Sequence, residues 1–294
     1  MMTAQAPEPF GYQTKLCSAC GSGGEQMHVY EKWGYPISRC PECGLGSTSA
    51  TGFDPTNIYS FDYFAGGQKD GYADYVGSES IVRKESRKVL RSLARAGCKS
   101  GRLLEIGCAF GFFLAEASNT FQVEGVEPCR EAAAFCRSRG LTVITGLANS
   151  QTMDSPRLVD AVVMLDVIEH LPDPLSVLKL ANARLKPGAH LVITTGDWDS
   201  VLSRWMRSSW RLMTPPQHLF FFSKTSLAAI LGRAGFRMVE VARPSKLVPL
   251  SLICFQFARI LGIKPARFPR LSRIALPVNL LDALRVICVK DRSI

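Results

Sequence analysis

The sequence predicts an α/β protein built on a parallel sheet with helices on both faces, and three observations predict it. From residue 102 to 195, short apolar runs alternate with amphipathic stretches, the pattern of strand–helix–strand units. The run 159–165 is apolar almost throughout, as a central parallel strand covered on both faces must be. The first run, ending at Glu105 or Ile106, leads straight into Gly107-Cys108-Ala109-Phe110-Gly111 and then a helix. In such sheets ligands sit outside the carboxyl ends of the strands.

Taken in order, residues 80–96 place Ile81, Val82, Val89, Leu90 and Leu93 at helical spacing, with Gly97 and Gly101 ending the helix before strand 102–106. A helix runs through 114–117, and 121–127 is the second strand. Helix 130–139 stops at Gly140, and 142–145 is a short strand. After strand 159–165, helix 175–185 ends at Pro187-Gly188, and 190–195 is the next strand.

The chain has 294 residues, 47% hydrophobic and 20% charged, enough apolar surface to exclude disordered and fibrous classes. Its formal net charge of +10 favours an anionic partner. Most of that excess is C-terminal: from Lys246 onward nine basic residues face only Asp282 and Asp291. The first ten residues lack a basic stretch followed by an apolar one, so no secretory leader and a reducing cytoplasm are expected. Residues 1–14 read as a flexible lead-in.

Ten cysteines are present, and four have metal spacing: Cys17-Ser18-Ala19-Cys20 and Cys40-Pro41-Glu42-Cys43. Two such knuckles, joined by a hairpin, suit tetrahedral thiolate coordination of Zn2+. Four cysteines close the coordination sphere, which makes the metal structural over 15–48. A redox dithiol is the alternative. His28, between the knuckles, is expected at the surface, and most of the other six cysteines as small buried hydrophobes. Residues 49–79 are rich in Gly, Asp and aromatics, among them Tyr59, Tyr63, Phe64, Tyr72 and Tyr75, and read as a linker or a flap over a ligand.

In the Gly107–Gly111 turn, the glycines allow close backbone approach to a ligand. Glu127 ends the second strand about 20 residues further on, where a carboxylate accepts hydrogen bonds from ribose hydroxyls. An ordinary turn and a solvated strand-end glutamate would account for the same residues singly.

Together these residues resemble the class I S-adenosylmethionine-dependent methyltransferases, especially the bacterial small-molecule group with an N-terminal zinc ribbon. Glu105-Ile106-Gly107-Cys108-Ala109-Phe110-Gly111 is similar to that family's glycine-rich motif, and Gly125-Val126-Glu127-Pro128 to its ribose-binding acid. The stretch from Asp160 through Asp166, Glu169, His170 and Asp173 to Pro174 resembles its fourth strand and following loop, and Leu185-Lys186-Pro187-Gly188 the turn before its fifth. The resemblance runs from about Leu103 to Lys290. It implies a Rossmann-like, seven-stranded, mostly parallel sheet with an antiparallel last strand, 236–243 and 284–290 being the final two. It further implies S-adenosylmethionine held by Glu105, Gly107, Cys108, Ala109, Gly111, Glu127, Pro128, Leu147 and Asp166, under a flap carrying Tyr63. The sequence departs from the family at Ala109, where a glycine is usual; the substitution is expected to cost little, on the premise of a negative φ.

For proton removal from an acceptor, His170 and His218 are the candidate catalytic residues. His170 follows the fourth strand. His218 lies in an aromatic, Pro-rich loop that resembles the acceptor-side segment, with Trp205 and Trp210 offering flat surface. A turn-capping or packing role is the alternative for His170. Residues 80–294 form the expected methyltransferase domain, with an insertion at 244–277. The apolar part of that insertion, 247–263, holds Pro249 and Arg259 and is too short to span a membrane. It reads as a helical cap on the substrate pocket, or, with the basic residues up to Arg273, as a peripheral contact to an anionic membrane across 247–273. The expected acceptor is a small molecule, glycan or lipid-linked precursor methylated at oxygen. An RNA methyltransferase and a non-catalytic zinc-ribbon scaffold are the alternatives.

Overall fold

In a computed structural model, residues 16–49, 61–64, 74–251 and 274–291 are described, with the single positions 253, 254, 258 and 271. The lead-in 1–14, Tyr59 and Tyr72 of the flap, and Arg259, Lys264, Arg267, Arg270 and Arg273 of the insertion lie outside the described residues.

The elements fall where the apolar periodicity put them. The first helix, α1, is Glu79–Arg95, with Ile81, Val89 and Leu93 on its buried face. The parallel core follows: β4 (Gly101–Ile106), α2 (Phe112–Ala117), β5 (Phe121–Glu127), α3 (Arg130–Ser138), β6 (Thr142–Thr145), β7 (Val159–Leu165), α4 (Pro174–Arg184) and β8 (Leu185–Gly196). β8 starts earlier than the Pro187-Gly188 signal suggested. Its pairing with β7 begins at Val159↔Leu185 and resumes at Ala161↔His190, so residues 186–189 bulge out of one continuous strand.

After β8 come α5 (Val201–Met206), β9 (Phe220–Phe221), α6 (Lys224–Arg233) and β10 (Phe236–Ala242). The chain then makes the hairpin β11 (Lys246–Pro249) with β12 (Ala275–Val278), and closes on β13 (Ala283–Lys290). The main sheet has seven strands in the order β10-β13-β8-β7-β4-β5-β6. β13 is antiparallel to both its neighbours, while β4, β5, β6, β7 and β8 pair in parallel. This is the Rossmann-like arrangement with an antiparallel last strand. Leu103, Leu104, Val162, Val163 and Ile193 are essentially inaccessible, as expected for strands covered on both sides.

The insertion, expected to form a helical cap, is described only at its two ends and at a few positions between them. It leaves and returns as the β11–β12 hairpin, with helical positions at 250, 251, 253, 254 and 258. The hairpin rests on α1: Lys88 Nζ donates to Ser245 O at 3.2 Å and Leu247 N donates to Glu85 Oε1 at 2.9 Å.

At the N-terminus β1 (Met27–Lys32), β2 (Tyr35–Arg39) and β3 (Gly46–Thr48) form an antiparallel meander between and beyond the cysteine knuckles. β3 also pairs with β9, so this small sheet has four strands, β1-β2-β3-β9.

Candidate active site

The carboxyl ends of β4, β5 and β7 meet at the glycine turn. Gly107, Ala109 and Gly111 have φ of 72°, 46° and 70°, in the left-handed region where a side chain is disfavoured. A Cβ on Gly107 would lie 2.6 Å from Val167 Cγ2, and one on Gly111 2.7 Å from Cys136 Sγ. Both glycines are therefore required by conformation and by space. The premise of a negative φ at Ala109 is overturned: alanine occupies a left-handed position, at a cost of about 1 kcal/mol. Its amide N–H donates to Glu127 Oε2 at 2.8 Å, and its carbonyl accepts from Cys136 Sγ at 3.3 Å. These bonds hold the residue in that conformation. Ala109→Gly is expected to raise stability by about 1 kcal/mol, read as a higher denaturant midpoint; an unchanged or lower midpoint would show that the turn carries no strain.

Glu127 is buried, and its second oxygen accepts from Cys129 N at 2.9 Å. Burial lifts its pKa from 4.5 to about 7 against the pull of these two amides. Each carboxylate oxygen keeps lone-pair capacity for a hydroxyl donor. Beneath the turn, Glu105 is also buried, with Oε2 lacking a hydrogen-bond partner among the described residues; burial, then Cys136 and Glu127, push its pKa well above the carboxylate range. A bare-backbone cradle, an acceptor pair for a diol and an orphaned carboxyl oxygen fit a ligand with ribose and amino-acid parts, as S-adenosylmethionine has. Pro128 directly follows Glu127, and Leu147 lies just beyond the end of β6. Cys108 is buried behind the turn. Tyr63 and Phe64 pack with Phe110, Phe112, Cys129 and Ala132, Phe64 meeting Phe110 at 5.2 Å between ring centres. This cluster sets both against the glycine turn.

On the other side of β4, Asp166 directly follows β7 with φ 55°, a strained value of the kind that gathers at functional sites. Its amide donates to Thr194 O at 3.0 Å, and its Oδ1 accepts from Thr194 Oγ1 at 2.9 Å. Lys246 Nζ, from β11, reaches Asp166 Oδ2 at 2.7 Å. Burial alone would raise the Asp166 pKa, but Lys246 and Thr194 outweigh it and the net shift is downward. Sequence reasoning missed Lys246: a lone lysine in an insertion carries no spacing signal toward a strand end 80 residues earlier.

His170 and His218 meet edge to face, 4.6 Å between ring centres. His170 Nδ1 is 2.9 Å from Gln217 O, and His218 Nδ1 is 2.6 Å from Leu212 O; a neutral ring donating there keeps Nε2 as its acceptor atom. Burial, then His170, depresses the His218 pKa to about 3, and burial lowers that of His170. Glu169 is buried beside them, its Oε2 without a hydrogen-bond partner among the described residues. Glu169, His170 and His218 each offer a donor atom, all within 4.8 Å of one another, a set able to hold a cation. Trp210 is buried, its Nε1 donating to Asp282 Oδ2 at 3.0 Å. Trp205, expected beside it, is 80% exposed.

The four module cysteines also converge. Cys17 and Cys43 Sγ are 3.6 Å apart, Cys20 and Cys40 Sγ 3.7 Å, and all four lie within 4.8 Å of one another. Tetrahedral zinc with bonds of about 2.3 Å sets sulfurs about 3.8 Å apart, so the donor set fits. Each knuckle closes by an amide donating to the first cysteine's carbonyl, Gly21 N to Cys17 O at 2.8 Å and Gly44 N to Cys40 O at 3.0 Å. His28 is exposed, as expected.

A family profile described as "Methyltransferase domain" matches residues 80–241. The ubiquinone biosynthesis O-methyltransferase of Vibrio cholerae is 28% identical over 156 residues, covering 50% of this chain and 62% of that protein; its counterpart in Alkalilimnicola ehrlichii is 32% identical over 108 residues, 34% of this chain and 43% of that one. The chain thus spans less than two thirds of the length of these relatives. Among solved structures, an S-adenosylmethionine-dependent methyltransferase from Archaeoglobus fulgidus superposes with a TM-score of 0.51 at 21% identity, over 72% of this chain and 97% of that one. Magnesium protoporphyrin IX methyltransferase from Synechocystis, solved with S-adenosylhomocysteine, gives 0.50 at 13% identity, over 79% and 94%. With the profile covering more than half of the chain and the glycine turn, Glu127 and sheet order in place, the chain belongs to the class I S-adenosylmethionine-dependent methyltransferase family.

Proposed function

We propose that the protein methylates a hydroxyl oxygen of a small molecule, a sugar, glycolipid or lipid-like precursor, and that zinc fills the four-cysteine site as a structural ion. The carrying observation is the placement of two unlike surfaces on either side of β4. Gly107 to Gly111 with Glu127 form a cradle for the donor, and Asp166, Lys246 and the His170–His218 pair line the side where an acceptor would stand. The relatives named as O-methyltransferases support oxygen as the target.

S-adenosylmethionine supplies a methyl group on a positively charged sulfur. The protein's task is to align the acceptor oxygen with it and to take the hydroxyl proton. Asp166, fixed by Thr194 and Lys246, is placed to take the hydroxyl proton as the oxygen gains the methyl group, and the Lys246 ammonium to steady the oxygen as that proton leaves. His218, with its pKa near 3, is a weak proton acceptor and fits the orienting role better than that of base. No helix among the described residues is long and apolar enough to cross a membrane; a peripheral contact through 247–273 is part of the same proposal, for a lipid-linked acceptor.

Tritiated methyl transfer from S-adenosylmethionine into a fractionated cell extract tests this reading. Label is expected in the lipid, glycan or small-molecule fractions as base-stable ether. Nuclease-sensitive label in the RNA fraction would overturn it.

A further inference from the structure

We infer that the cysteine module is part of the acceptor side of the catalytic site: β3 is the template on which residues 218–222 are laid, so a thiophilic divalent cation held by the four cysteines sets the shape of the acceptor wall and leaves the cofactor seat unchanged. The inference rests on the methyltransferase reading above.

β9 has two residues, too few to keep an extended form unaided. Its sheet partner is β3, with Gly46↔Phe221 and Ser47↔Phe220 in register and Thr48 N donating to Leu219 O at 3.0 Å. From the other side the catalytic core pulls on the same segment: Leu219 N donates to Glu169 O and Trp198 N to Phe222 O, both at 2.8 Å. His218 lies two residues before β9, and Gln217 O is the partner of His170 Nδ1. Residues 217–222 are therefore strung between the cysteine module and the loop after β7, and displacement of β3 is transmitted to both histidines.

The fit is close. A Cβ on Gly46 would stand 1.9 Å from the Trp198 ring. Ile37 of β2 is fully buried against Trp198, Trp210, Met213 and Phe221. Arg39 pairs with Asp199 at 2.7 Å, and Lys32 Nζ donates to Trp210 O at 3.2 Å. The knuckle itself is clasped by α6, Arg233 Nη1 donating to Ser18 O at 3.0 Å and Ala19 O at 3.1 Å. By contrast, the apolar cluster around the glycine turn, Phe64, Phe110, Phe112, Cys129 and Ala132 with their partners, includes no residue of the module. Because binding energy at such a metal site is folding energy for its own small sheet, loss of the cation loosens β3 first and β9 with it.

The test is hydrogen exchange of the full chain, zinc-loaded, chelator-treated and as Cys43→Ser, beside titration with S-adenosylhomocysteine. Metal loss is expected to speed amide exchange in 219–222 by about tenfold or more, while affinity for S-adenosylhomocysteine stays within about twofold. Unchanged exchange there would overturn the inference, as would a parallel collapse of affinity, which would mean general unfolding. A second variant, Arg39→Gln with Arg233→Gln, undocks the module with its cysteines intact; it is expected to keep its zinc and show the same faster exchange, and it decides alone should Cys43→Ser not fold. Absence of S-adenosylhomocysteine binding in the unaltered protein would instead overturn the methyltransferase reading, whatever the exchange shows.

Discussion

Glu127→Ala is expected to weaken S-adenosylhomocysteine binding by about a hundredfold or more, measured by calorimetry. Two hydrogen bonds from a diol to an ionised group contribute about 1.5–3 kcal/mol each, and each 1.4 kcal/mol is about a factor of ten. The substitution also removes the acceptor for Ala109 N and Cys129 N, so the strained turn loses its tie. A pH signature separates the two effects. Hydroxyls donate to the ionised carboxylate, so with a pKa near 7 the affinity of the unaltered protein falls by about tenfold per unit below that pH and levels off above it. The alanine variant should show no such slope. For the ligand-free fold the sign is opposite: the pKa is raised above 4.5, so the group favours folding most at low pH, and this contribution is lost as pH rises through 7. A loss of less than about threefold in Glu127→Ala would remove the residue from the cofactor seat.

Asp282→Ala should cost about 2–4 kcal/mol of stability in a urea titration. Asp282 is 2% exposed and receives Trp210 Nε1 at 3.0 Å, Arg211 Nε at 3.0 Å and Arg211 Nη2 at 2.8 Å, while its carbonyl takes Asp197 N at 2.8 Å. Removing the carboxylate leaves the buried indole N–H of Trp210 without its acceptor, in a position water does not reach. Arg211 is half exposed and recovers part of its loss in solvent, which sets the upper bound. Since Trp210 packs on Ile37 and Phe221, the variant should also lower turnover with an identified acceptor more than affinity for S-adenosylhomocysteine. A stability change below about 1 kcal/mol would mean that Asp282 is dispensable to the acceptor wall.

The sheet was legible in the sequence because its strands are buried on both faces and announce themselves as apolar runs. β5, β6 and β7 occupy the predicted residues. The convergence of the four cysteines and the place of Glu127 at the end of β5 were legible for a different reason, a spacing of the kind that one tetrahedral ion or one ribose-bearing ligand demands. What escaped has no local signature. β3 and β9 have three and two residues, too short for any periodicity, and their pairing joins residues more than 170 apart. Trp205 and Trp210 look alike in sequence, yet one lies on the open face of α5 and the other finds Asp282, a partner near the far end of the chain. The sign of φ at Ala109 depends on Glu127 and Cys136 gripping its two peptide groups, which the residue's own identity argues against.

The antiparallel pairing of β10 with β13 runs as far as Ala242 opposite Arg285 before the insertion begins. The β11–β12 arm therefore hangs from a finished hairpin. Lengthening it costs only loop-closure entropy, about 0.6 kcal/mol per doubling, with no strand displaced. Lys246 rides on this arm and reaches Asp166, so on the proposed reading the chemical character of the acceptor side can be exchanged by replacing one surface excursion. Diversification of the acceptor is thereby uncoupled from the part of the sheet that must stay constant to hold the donor.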